Sequence, residues 1–208
     1  MKSRTETCGP AVTDLFVEPD DATPLAPEER EGLRQNWITL RSELNAAEQD
    51  NIIKGATWAR RPRQLRREIL DDGFARTLHE RMFGDVWSWA GTYRLTERNI
   101  GVEAHRIPND TIMMLDDVRY WRDNNVYPRD ELAVRLHHRL VYIHPFPNGN
   151  GRHARMMADL LIERLGGEPF SWGGGTLHDV GELRERYVTA LRAADNHDIN
   201  PLVAFARS

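Results

Sequence analysis

The chain has 208 residues, of which 40 % are hydrophobic and 29 % charged, and its net charge is −4. That size suits one domain with an extended start, and the apolar content is enough for a core. No run is long and apolar enough to cross a membrane, residues 1–10 lack a signal-peptide h-region, the charge argues against nucleic acid as a partner, and the single Cys8 excludes an internal disulfide, so a cytoplasmic protein away from the membrane is expected.

Residues 1–27 carry Thr, Pro and Asp without a sustained period and read as a flexible N-terminal arm. Residues 28–208 read as a single domain. A short helix is expected over 28–34, after Pro27. A longer one is expected over 38–57, where Leu40, Leu44, Ala47, Ile52 and Ala56 make a loose apolar stripe. Pro62 interrupts, and residues 65–70 predict another short helix. The basic run Arg60-Arg61-Pro62-Arg63-Gln64-Leu65-Arg66-Arg67 has no interleaved aromatics for base stacking, and reads as a solvated loop and helix start, with a phosphate-binding patch as the alternative. Residues 74–83 predict a helix closed by Gly84.

After Trp87-Ser88-Trp89-Ala90-Gly91-Thr92-Tyr93-Arg94, residues 95–102 look extended, with 104–108 as a returning arm. Residues 109–123 predict a helix with Ile112, Leu115, Val118 and Trp121 near one face. Pro128 opens a central helix over 130–143, and Pro145 ends it. A further helix follows from Arg152 to about Ile162, stopped by Gly166-Gly167. Gly173-Gly174-Gly175 makes a loop, and helices over 180–194 and 201–206 complete an all-α pattern.

The most informative stretch is His144-Pro145-Phe146-Pro147-Asn148-Gly149-Asn150-Gly151-Arg152-His153-Ala154-Arg155. Its small residues let backbone N–H groups converge on an anion, and the helix that follows offers its N-terminus. Arg152 and Arg155 are i, i+3 on that helix, and guanidinium forks suit phosphate oxygens. His144 stands just before the turn, where an imidazole titrating near neutrality can take a proton from an attacking hydroxyl. Of the other histidines, His137 is expected in the core, with His138 and His153 partly exposed. No pair has the i, i+4 spacing of a helical zinc clamp.

The stretch resembles the signature of the Fic (Fido) family, His-x-Phe-x-Asp/Glu-Gly-Asn-Gly-Arg-x-x-Arg. The segment from Trp89 to Arg94 resembles that family's Trp-Ala-Gly-x-x-Arg. The likeness covers about residues 30–205 and is nearest to the subgroup called mobile mystery protein B. It implies a helical bundle with a short β-hairpin flap over the active site, and a protein adenylyltransferase that moves AMP from ATP to a Tyr, Thr or Ser hydroxyl of a target protein. It also implies a bacterial protein with a helix-turn-helix partner encoded nearby. Alternatives are a phosphotransferase of the Doc type, or a catalytically weak nucleotide-binding regulatory module.

Residue by residue, the resemblance makes His144 the general base. Gly149, Asn150 and Gly151 become the phosphate cradle. Arg152 holds the middle phosphate, Arg155 the terminal one, and Phe146 anchors the turn. Asn148 stands where the family has an acidic Mg²⁺ ligand. An amide oxygen lacks the charge of a carboxylate, so weak Mg²⁺ binding or slow turnover is expected. Thr39 and Glu43 resemble part of an inhibitory-helix motif, Ser/Thr-x-x-x-Glu-Gly/Asn, although Leu44 stands at the Gly/Asn position. This makes Glu43 the candidate that neutralises Arg155, with Glu48 on the same helix as a lesser one.

Overall fold

The computed structural model describes Leu25, residues 30–174 and residues 180–208. Most of the expected arm and the start of the 28–34 helix therefore lie outside the described residues. Leu25 is buried, and its N–H donates to the Thr39 carbonyl at 2.9 Å. Residues 31–34 form no helix. They pass through a turn into an isolated antiparallel bridge between Leu33 and Trp87.

Among the described residues eight α-helices follow: α1 (Arg41–Ala59), α2 (Pro62–Leu65), α3 (Asp72–Phe83), α4 (Ile107–Asp123), α5 (Arg129–Ile143), α6 (Asn150–Arg164), α7 (Val180–Asp195) and α8 (Asn200–Arg207). The expected helix over 65–70 is instead the short α2, which Pro62 opens rather than prevents, because a proline at N1 gives up only an N–H that has no helical partner anyway.

Local chemistry explains the main boundaries. Asp71 Oδ1 accepts from Phe74 N at 2.9 Å and caps α3. At the end of α6, Gly167 N donates to Ile162 O at 2.9 Å and Gly166 N to Glu163 O at 3.1 Å, the paired bonds of a Schellman stop. From His153 to Ile162, α6 is buried on every side, and it therefore runs through the centre of the bundle. It packs against α5, and α1 packs against α3, which brings both flanks of the site to the N-terminal end of α6.

The expected β-hairpin is not formed. No strand is present among the described residues, Ala104–Arg106 is a 3₁₀ turn, and Ile107 already begins α4. Residues 95–101 are exposed, Leu95 at 89 %, so nothing packs against them to hold a second arm in register.

Candidate functional site

The turn between α5 and α6 is held by its own side chains. His144 is the C-cap of α5 in the left-handed region, φ 54° and ψ 59°. Phe146, 1 % exposed, stacks on His79 with ring centroids 3.7 Å apart. Asn150 closes the loop: its Oδ1 accepts from Phe146 N and its Nδ2 donates to Phe146 O, both at 2.8 Å. The side chain of Asn150 is thus the brace of the turn, beyond the backbone role expected for it.

Gly149 has φ 76°, and a Cβ there would meet the Phe83 ring at 2.6 Å, so only glycine suits this corner. Its N–H is taken by Asn148 Oδ1 at 2.7 Å. The first intrahelical bond of α6 is His153 N to Gly149 O, which leaves the N–H groups of Asn150, Gly151 and Arg152 without helical acceptors. A Cβ on Gly151 would have nothing within 4 Å, so the helix start is uncovered at this residue.

The two arginines part company. Arg152 lies over the Phe83 ring and donates from Nη1 to Glu48 Oε2 at 2.6 Å. Glu48 is 5 % exposed, and its other oxygen accepts from Trp87 Nε1 at 2.6 Å. Arg155 is wholly buried, with its guanidinium 4.8 Å from the Tyr187 ring centre and 5.6 Å from that of Trp172. Burial lowers its pKa, and the Tyr187 hydroxyl works the other way. A terminal phosphate reaches Arg155 only if that aromatic cover shifts.

Glu43 is not brought to the arginines. Its Oε2 accepts from Thr39 N at 2.7 Å and Leu40 N at 3.1 Å, as the third residue of α1 reaching back over the helix start. These bonds lower its pKa. The carboxylate that meets the motif is Glu48, and it meets Arg152. A signal for this lies in the sequence. Leu44, Glu48 and Ile52 are spaced by four, so Glu48 occupies the apolar stripe while Glu43 falls beside it, and an acid on such a stripe needs a partner.

His144 is partly buried, and that burial lowers its pKa from 6.5; the Val141 carbonyl opposes this, and the cations of Arg94 and Arg98 add to it. At neutral pH its imidazole is therefore unprotonated and ready to accept. His153 is buried at 1 % exposure, contrary to the expectation of partial exposure, because its Nε2 meets Ala75 O at 2.9 Å. Burial takes its pKa down to about 4. His138 is partly exposed and meets Asp195 at 2.8 Å, and His137 is in the core, as expected. His79 was not singled out by its sequence context. It is buried, contacts Asn148 O at 3.1 Å and accepts from Gly91 N at 3.0 Å. Among the described residues no group of three His, Cys, Asp or Glu side chains is placed to hold a metal.

A helix N-terminus, an arginine beside it and a neutral histidine at the mouth of the same turn thus come together on a helical domain. Residues 69–162 match the model of the Fic/DOC family. The protein adenylyltransferase Fic of Drosophila grimshawi is 30 % identical over 133 residues, 62 % of this chain and 26 % of its own length. That of Nematostella vectensis is 30 % identical over 132 residues, 62 % of this chain and 29 % of its own. The chain thus spans between a quarter and a third of the curated relatives it matches.

Among solved structures, Fic-1 from C. elegans superposes with a TM-score of 0.58 at 26 % identity, over 77 % of this chain and 48 % of that one. The BepC protein of Bartonella tribocorum with bound AMPPNP superposes with a TM-score of 0.62 at 16 % identity, over 86 % of this chain and 95 % of that one. The fold is the Fic fold.

Proposed function

We propose that this chain is a protein adenylyltransferase, moving AMP from ATP to a hydroxyl of a target protein, with Glu48 as an internal brake. The observation that carries the reading is the joint placement of His144 and the open N-terminus of α6 on one braced turn, in a chain that resembles enzymes named protein adenylyltransferase. The domain of this reading is residues 28–208, and Leu25, ahead of that boundary, is buried in its core rather than part of a free arm.

In this reading the triphosphate lies before the N–H groups of Asn150, Gly151 and Arg152, with the helix dipole and Arg152 offsetting its charge. The target hydroxyl gives its proton to the neutral imidazole of His144 as its oxygen bonds to the α-phosphorus. The bond from the α-phosphorus to the bridging oxygen breaks, and pyrophosphate leaves. Little covalent work falls to the protein, so positioning and charge carry the rate.

Mg²⁺ supplies charge compensation on the phosphates in such transfers. Here the turn offers only the neutral Asn148 Oδ1, which already accepts from Gly149 N. The side chains of the turn do not make a metal site of their own, and no step is routed through the ion. The bacterial setting, the toxin–antitoxin-like role and the helix-turn-helix partner remain expectations carried by the family resemblance.

The ion pair of Glu48 with Arg152 supports the brake. A carboxylate at that place repels incoming phosphate and occupies the guanidinium meant for it. The test is transfer from ATP labelled at the α or the γ phosphate, by the unaltered protein, Glu48→Gly and Glu48→Gly with His144→Ala. Label from α alone, stronger in Glu48→Gly and lost in the double variant, supports a braked adenylyltransferase. Label from γ moves the reading to a Doc-type phosphotransferase. Nucleotide bound with no label moved favours the regulatory module, the reading that Asn148 and the covered Arg155 would then explain.

A further inference from the structure

We propose that Arg94 is the positioning residue of the site, a strap that holds the backbone of His144 in the pose the reaction needs. The inference rests on the reading of His144 as proton acceptor.

Three successive carbonyls, of Ile143, His144 and Pro145, lead out of the C-terminus of α5, where helix geometry supplies no partners. Each receives a donor from residues 94–102. Val102 N donates to Ile143 O at 3.3 Å, Arg94 Nε to His144 O at 2.8 Å, and Arg94 N to Pro145 O at 2.9 Å. The same guanidinium also donates from Nη1 to Thr96 O at 2.9 Å and from Nη2 to Val102 O. One side chain, 2 % exposed, thus ties the loop to itself and to the residue that carries the imidazole.

This strap has something to hold. A non-glycine residue in the left-handed region is strained by roughly 1–3 kcal/mol and persists only where its surroundings fix it. Gly101 shows how close the loop lies: its φ is 94°, and a Cβ there would sit 2.6 Å from His144 Cβ and 2.8 Å from Arg94 Nη2. Arg94 is answered mainly by carbonyl dipoles. Its nearest carboxylate, on the exposed Glu97, is 4.0 Å away. Its charge therefore acts on the neighbouring imidazole, together with that of Arg98. Only a planar fork reaches three carbonyls at once, so lysine is not an equivalent.

The experiment is an NMR titration of the His144 imidazole, assigned with His144→Ala, in the unaltered protein, Arg94→Gln and Arg94→Lys. Transfer kinetics are then measured with each change placed in Glu48→Gly. Arg94→Gln is expected to raise the His144 midpoint, because a facing cation is gone, and to lower kcat by about 100-fold while KM for ATP moves by less than about threefold. Arg94→Lys keeps the charge, so it holds the midpoint near its original place while still losing most of kcat. An unmoved midpoint and unchanged kcat in a folded Arg94→Gln protein overturn the strap. If Arg94→Gln does not fold, Gly101→Ala presses on the same contact, and an unchanged His144 resonance and kcat there overturn it equally. A midpoint that moves in a protein whose parent transfers no label keeps the strap and removes the adenylyltransferase reading.

Discussion

Glu48 of α1 and Arg152 of α6 stand 104 residues apart in sequence and 2.6 Å apart in space. The glutamate is nearly buried, with its second oxygen taken by Trp87 Nε1, so the pair is placed by packing on both sides. A pair of this kind adds little net stability, but removing one member leaves the other exposed to whatever charge arrives.

That asymmetry separates the two glutamates. Glu48→Gly frees Arg152 and is expected to increase α-label transfer by about tenfold or more, the range of a typical coupling energy between sites. Glu43→Ala leaves Arg152 paired. It removes the acceptor of Thr39 N and Leu40 N, so it lowers the melting temperature with no gain in transfer. Equal activation by both changes, read as initial rates, would remove Glu48 as the brake.

Asn148→Asp restores a charged oxygen at the turn. The aspartate can keep the bond from Gly149 N while offering its second oxygen to Mg²⁺. Half-saturation by Mg²⁺ in the transfer assay is expected to fall, and turnover with ATP to rise. Superimposable Mg²⁺ titrations of the two proteins would sink this expectation.

The pH profile of transfer follows from His144. Its folded pKa lies below 6.5, chiefly through burial, so the neutral acceptor persists below that pH. The acid limb of kcat/KM should therefore have its midpoint under 6.5, with a plateau above it. A limb centred above 6.5 would point to another group as the acceptor.

Stability carries a second pH signature. His79, His137 and His153 all have folded pKa values below the usual 6.5 through burial, His153 at about 4. As pH falls from 6.5 the unfolded chain takes up these protons first, so stability is lost with acidification, by about 3 kcal/mol for His153 alone. Asp159 has the opposite sign. Burial raises it from 3.8 to about 7, against the pull of its donors Phe170 N and Trp172 Nε1, so its share of stability is lost as pH rises through that window. Urea unfolding at pH 5 and 7.5 should show the histidines prevailing. Asp159→Asn removes the opposing group and should steepen the rise; an unchanged slope would contradict the raised carboxyl.

Much of this was legible in the residues. The spans of α3, α5, α6 and α7 follow from apolar periods and from Pro and Gly at their ends, because α-helical order is set within a few residues. The turn after His144 was legible for the same reason. What escaped is what distant segments supply. His153 carries no local mark of burial, since its acceptor, Ala75 O, lies 78 residues away. Arg155 looks like a free phosphate ligand until α7 lays Tyr187 on it. The hairpin failed because Arg94 and Val102, at the two ends of the segment, bond to the end of α5, while residues 95–101 between them are exposed and pair with no second arm.

The bond between Trp87 and Glu48 has a practical side. An indole fixed by a carboxylate and stacked on Trp89, with ring centres 5.0 Å apart, emits differently from one whose acceptor has swung away. With the four tryptophans outside this stacked pair replaced by phenylalanine, the emission of the pair would register the departure of Glu48 from Arg152 as it happens. The restraint on the site thus carries its own optical label, one that needs no target protein and no turnover to be read.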